Sequence, residues 1–240
     1  MSGSEDGTNE QFNQLAKLET DFEQAELDVL KYQTKTLKPL YARRAKIINA
    51  LPRFWPIALE QFGEDIDQYI TPQDAKLFEA IAGVDLERDE ADPRTFTLTF
   101  TFDDNEYLDQ KVLAKTFRYV AEEAADGEDG PRHKYVSDAV EIQWKPKKNL
   151  AKTKVGAPTS FFTWFAWQNA GGDHEDVFED AHELALALAE DLYPNAVKYY
   201  IEAIDEENES DDEIDIGSDG SDGSDGSSDA ETPPKKKQRS

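Results

Sequence analysis

The sequence predicts an α+β domain, and three patterns carry that expectation. A heptad-like stripe runs through residues 10–51, a strict alternation TFTLTFTF fills residues 95–102, and helical patterns return between His174 and Ile204. Helices flanking a meander of consecutive strands give this class.

Residues 1–9 read as a disordered lead. Residues 10–50 contain no Gly, and their only Pro is Pro39. Leu15, Leu18, Phe22, Ala25, Val29, Tyr32 and Thr36 alternate spacings of three and four. Leu37, Leu40, Arg44, Ile47 and Leu51 resume that spacing one residue later, so the register slips near Thr36. Pro39 lacks a backbone donor and is expected to kink the helix. A helix of roughly 40 residues is about 60 Å long, longer than a small domain is wide. The stripe therefore needs a partner of equal length, and the rest of the chain offers none. The expected partner is a second copy, joined through Leu15, Leu18, Phe22, Ala25, Val29, Tyr32, Leu37, Leu40 and Ile47.

A second domain is expected from 52 to 204. Pro52 and Pro56 mark a short helical stretch to Phe62, with Phe54, Trp55 and Leu59 available for burial. Thr71-Pro72 reads as the cap and first position of a helix reaching Ile81. In TFTLTFTF, Phe96, Leu98, Phe100 and Phe102 point to one face and the threonines to the other. Further strands are expected at 84–88, 108–120 and 135–144, with an acidic loop over 122–130, as an antiparallel meander. A basic connector follows with Lys145, Lys147, Lys148, Lys152 and Lys154. After it come SFFTWFAW (160–167), a Gly171-Gly172 break, a helix over 174–191 and a last helix from Pro194 to Ile204.

Residues 205–240 read as a disordered tail. Between Asp205 and Glu231 it holds 13 acids and no Lys or Arg, and a Ser-Asp-Gly unit repeats at 218–226. Ser210, before Asp211, Asp212 and Glu213, suits an acidophilic kinase. The chain then ends on Lys235, Lys236, Lys237 and Arg239 beside Pro233-Pro234, the form of a short nuclear import signal for an importin groove. Opposite charges would let the tail contact the basic connector.

Charge sets the function classes. The formal net charge is −26, and residues 1–204 alone carry 39 acidic and 22 basic residues, a net of −17. The tail therefore does not explain the imbalance, and an acidic working surface for a basic partner is expected. Phosphates would be repelled, so direct nucleic-acid binding is not expected. With no cysteine, disulfides and thiolate chemistry are excluded, and a reducing compartment is expected. No apolar run approaches the roughly 18 residues of a membrane span, and the acidic N-terminus is unlike a secretory or transit signal. His182-Glu183-Leu184-Ala185-Leu186 begins like a zinc-protease helix but lacks the second His. No phosphate loop or G-x-S-x-G is present. No catalytic residue, metal or cofactor is expected.

The order of a long N-terminal helix, ALPRFWPIAL (50–59), LTFTFDDNEYLDQKVLAKTF ending at Phe117, EIQWK (141–145), SFFTWF (160–165) and YPNAVKYY (193–200) resembles the nucleosome assembly protein family. It is most similar to the branch containing SET, the template-activating factor, and a fungal vacuolar-sorting-named chaperone. The resemblance implies a nuclear histone chaperone that dimerises through the long helix. An α+β "earmuff" domain would bind core histones on its acidic underside for nucleosome assembly and disassembly. It also implies Thr163 and the acidic pair Glu190-Asp191 as histone-contacting positions. Where SET has Thr-Asp after SFFTWF, this chain has Ala166-Trp167. Charge density adds Asp173, Glu175, Asp176, Glu179, Asp180 and Glu183. The alternative is a regulatory or scaffold subunit of a nuclear enzyme, such as a histone acetyltransferase. A simple coiled-coil adaptor is a further reading.

Overall fold

The computed structural model describes residues 3–63, 66, 69–122, 132–152, 159–168 and 181–214. The chain divides into two units, Met1–Ile204 and Asp205–Ser240. The α+β class holds, with a long N-terminal helix, a four-stranded antiparallel sheet and further helices.

Helix α1 runs from Gly3 to Ile48. It starts before residue 10 because, once a helix is nucleated, each added residue gains a hydrogen bond at little further cost. Pro39 lies inside it without ending it. Past Asn49 the chain turns, and Pro52 disfavours the helical conformation of the residue before it. Helix α2 (Phe54–Gln61) buries Phe54, Trp55 and Leu59, as their spacing implies.

Helix α3 is only Ala75–Phe78, because β1 (Ile81–Arg88) already begins at the residue where the sequence pattern ends the helix. Thr71 is not an accepting cap. Its backbone N–H and hydroxyl both donate to Asp74 Oδ2, at 2.8 and 2.9 Å. The fully buried Asp74 carboxylate also accepts from the Ser160 hydroxyl at 2.6 Å and the Phe161 N–H at 3.1 Å. One carboxylate thus ties the turn before α3 to a segment 86 residues away. Asp74→Ala leaves these donors unpaired in the interior and is expected to cost about 3 kcal/mol in denaturant unfolding.

Strands β1, β2 (Phe96–Phe102), β3 (Val112–Glu122) and β4 (Arg132–Ser137) pair in sequence order, all antiparallel. Phe96, Leu98, Phe100 and Phe102 are buried on the face the alternation selects. β3 starts at Val112 rather than Leu108 because Asn105 Oδ1 accepts from the N–H groups of Tyr107 and Leu108 and holds a turn there. β4 stops at Ser137 because the chain then bonds elsewhere: Ser137 N–H to the Gln168 carbonyl and Val140 N–H to that of Phe165. Trp144 keeps one isolated bridge, to Leu108.

The sheet's inner face packs on the 3-10 segment Phe161–Ala166, whose rings interlock with it. Phe100 lies 6.3 Å from Phe161 and 5.9 Å from Phe165, and Phe117 lies 5.4 Å from Trp164. α4 (Ala181–Leu186), a π-helical stretch (Ala187–Leu192) and α5 (Tyr193–Ile214) follow without a break. Pro194 therefore does not start a separate helix. A proline inside a helix removes a donor and crowds the carbonyl four residues back, and the wider π turn before it accommodates both. The sequence pattern ends this helix at Ile204, yet α5 reaches Ile214. Asp205–Ile214 contains no Gly or Pro to end it.

Candidate functional site

Helix α1 has two different faces. Among the described residues, Leu15, Leu18, Phe22, Ala25, Val29, Tyr32, Leu40 and Ile47 are exposed, the large side chains running from 46% at Leu18 to 73% at Tyr32. One position on, Leu37, Tyr41 and Arg44 are half-buried and Ile48 is buried. The Arg44 guanidinium lies 4.6 Å over Tyr41 and 4.5 Å over Tyr193, and donates to the Pro194 carbonyl at 3.1 Å. The inward face already includes the half-buried Leu27, Leu30 and Thr34, and past the register slip near Thr36 it carries the residues that enter the core. Leu37, expected in the outward stripe, turns toward its own domain because the Leu37–Tyr41–Arg44–Ile48 spacing follows that face.

The acidic candidates fall into three groups. Asp173, Glu175, Asp176, Glu179 and Asp180 lie outside the described residues, as do Lys235, Lys236, Lys237 and Arg239. Glu183 and Glu190 are exposed on the α4–α5 run. Glu190 stands 3.7 Å from the mostly buried Arg88, and Asp191 accepts from Asn195 Nδ2 at 2.7 Å and the Tyr199 hydroxyl at 3.1 Å. Asp191 is therefore engaged within its own helix. Thr163 is 6% exposed inside the 3-10 segment, where its Oγ1 has no hydrogen-bond partner among the described residues. The segment turns its side chains into the sheet, so Thr163 belongs to the interior rather than to an open face.

An aromatic ledge adjoins Glu183 and Glu190. Tyr119 stacks on His133 at 4.9 Å and lies under the Arg94 guanidinium at 4.3 Å, while Tyr135 and Trp167 each stack on His182. Burial, with Glu190 nearby, pushes the Tyr135 phenol up to about 12. Burial and Asp85, whose Oδ1 accepts from the Tyr193 hydroxyl at 2.9 Å, push Tyr193 up as well. Several surface acids are held below the usual carboxylate range by a bonded cation: Asp92 by Arg94, Asp104 by Lys111 and Asp138 by Arg118. Carboxylates beside half-buried rings attract cationic side chains by charge and by the ring faces.

Sequence reading missed Lys115. It is fully buried on β3, and its Nζ donates to the carbonyls of Asp138 (3.1 Å), Phe165 (3.0 Å) and Trp167 (2.7 Å). The ammonium also lies 5.6 Å from the Phe117 ring and 5.9 Å from Trp164. Burial lowers it to about 8. This lysine fastens the 3-10 segment to the sheet. Its signal was its place between Leu113 and Phe117 in an inward alternation. The described residues hold no cluster of three metal-ligating side chains, and His182 packs against rings rather than beside another His.

Residues 49–203 match the family described as nucleosome assembly protein (NAP). A Schizosaccharomyces pombe protein, named provisionally as a nucleosome assembly protein, is 41% identical over 214 residues, 87% of this chain and 86% of its own. The crystal structure of a Ccp1 mutant aligns with a TM-score of 0.77 at 39% identity, covering 84% of this chain and 99% of that one. A crystal structure described as the Vps75 histone chaperone aligns with a TM-score of 0.62 at 27% identity, covering 82% and 99%.

Proposed function

We propose, since the chain belongs to the nucleosome assembly protein family, that it is a histone chaperone acting in nucleosome assembly and disassembly. The observation that carries this reading is the family match across residues 49–203. The excess of acid in residues 1–204 supplies the physical basis. Core histones are basic, and a surface of carboxylates shields their charge from non-specific contacts with DNA. Histones then pass to DNA when the correct contacts there outcompete the chaperone. No bond is made or broken, and no cofactor takes part.

The working form is a homodimer. Eight exposed residues of one α1 stripe have no partner among the described residues of a single chain, and a second copy of the stripe is their simplest cover. Glu183 and Glu190 face the histone, and the acidic residues Asp173, Glu175, Asp176, Glu179 and Asp180, outside the described residues, add to its binding. The basic end at Lys235, Lys236, Lys237 and Arg239 directs the protein to the nucleus through an importin.

Charge-driven contact has a salt signature. The screening length is about 8 Å at 0.15 M salt and 3 Å at 1 M, so exposed pairs weaken steeply. Affinity for a core histone pair, measured by fluorescence anisotropy, is expected to fall by at least about tenfold over that range. Full affinity at 1 M salt would contradict an electrostatic mode.

A further inference from the structure

The inward face of α1 does not close onto the sheet along its whole length. A groove of about 1170 Å³ separates it from β1, lined on one side by Leu30, Leu37, Tyr41 and Ala45 and on the other by all of Ile81–Arg88. It exceeds the roughly 1,000 Å³ of small-molecule sites. Among the described residues, β1 is an edge strand, paired only with β2, and no backbone hydrogen bond joins it to α1. One side of its backbone is thus open to another strand. The two walls match in length. Eight strand residues span roughly 26 Å, and α1 between Leu30 and Ile48 spans roughly 27 Å.

Charge selects the occupant. The basic residues lining the groove are already engaged: Lys38 with Glu90, Arg53 with Glu79 and Arg88 with Glu190. Asp85 and Glu87 are exposed on β1 with no basic side chain at ion-pair distance among the described residues. The opening therefore favours a cationic chain. A second α1 is a poor fit, because the outward stripe and the groove face are one residue apart, about 100° around the helix. Pairing through the stripe leaves the groove free.

We propose that this groove binds the lysine-rich N-terminal tail of a core histone as an added fifth strand on β1. The proposal rests on the chaperone reading and gives it a second contact, made by backbone pairing instead of charge alone. Backbone bonds along β1 hold the extended tail, Asp85 and Glu87 receive its basic side chains, and the α1 face covers its other side.

The test is hydrogen exchange of the full chain with and without a synthetic lysine-rich histone tail peptide, together with anisotropy titrations. The peptide is expected to slow exchange at residues 81–88. Ala42 is exposed on the groove wall, so Ala42→Trp fills the opening without entering the core. It should weaken the peptide roughly tenfold and abolish the protection, while histone pairs lacking tails bind it as they bind wild type. Glu87→Lys, on an exposed strand position, should weaken the peptide about fivefold and serves if Ala42→Trp misfolds. Peptide binding without protection of 81–88, or unchanged in both variants, overturns the groove and leaves the chaperone reading standing. Protection that appears on concentrating the protein without peptide assigns the groove to a second copy and overturns it too. Failure of wild type to bind tailed and tailless histones alike overturns the chaperone reading itself.

Discussion

Lys115→Ala is expected to destabilise the domain by about 4 kcal/mol or more. Truncating a buried side chain of this length leaves a cavity, typically about 2–5 kcal/mol. The Trp167 carbonyl then loses its bond from Nζ, at about 1–3 kcal/mol for an unsatisfied buried group. The carbonyls of Phe165 and Asp138 keep other donors, Val140 N–H and the Ser137 hydroxyl. Lys115→Met fills the space and removes the cost of burying an ammonium, so it should lose less than about 2 kcal/mol. Urea unfolding of both variants checks this. Wild-type stability of the Ala form would mean that Lys115 is not a fastener.

The same residue gives a pH signature. Its ammonium is lowered to about 8 in the folded chain against 10.5 for a free lysine. The unfolded chain therefore binds this proton more tightly, and the contribution to stability rises with pH between about 8 and 10.5, by about 3 kcal/mol at most. Tyr135 and Tyr193 act in the opposite sense above about 10, because the folded chain retains phenol protons that the unfolded chain loses. Wild type should therefore gain stability relative to Lys115→Met from pH 8 to 10. A flat difference across that window would contradict the buried ammonium.

Phe22→Glu combined with Leu40→Glu is expected to convert a dimer into a monomer. Both side chains are at least half exposed on the outward stripe. Each contributes roughly 1.5–3 kcal/mol gross when covered by a partner, and each replacement also places a carboxylate in a seam between two acidic chains. Neither residue touches the domain core, so near-ultraviolet circular dichroism should be unchanged. Histone affinity should drop as well, because two acidic surfaces no longer act together. A variant that stays dimeric would move the interface off this face.

Much of this organisation is legible in the residues themselves. Period two in TFTLTFTF marks a half-buried strand, and the alternation of three and four from Leu15 to Tyr32 marks a long helix with one outward face. Local patterns of that kind depend on neighbours in the sequence. The features that escaped depend on distant partners. Arg44 has stripe spacing but faces Tyr193 and Pro194, some 150 residues away, and Leu37 is half-buried on the same face. Asp74 reads as an ordinary helix-start acid until Ser160 meets it. The π turn at Ala187–Leu192 hides because Pro194 looks like a helix start. At the proposed histone-facing surface, Glu183 and Glu190 are exposed as their charge implies. Thr163 is buried, since SFFTWF spends its side chains on the sheet.

Two copies joined by α1 are proposed to hold core histones by charge. Light scattering of the full chain, alone and with a purified core histone pair at low and moderate salt, addresses it most directly. The expected result is a mass of twice 27.1 kDa alone and a defined histone complex that dissociates as salt rises. A mass of 27.1 kDa, or a dimer that leaves histones unbound at low salt, would contradict it.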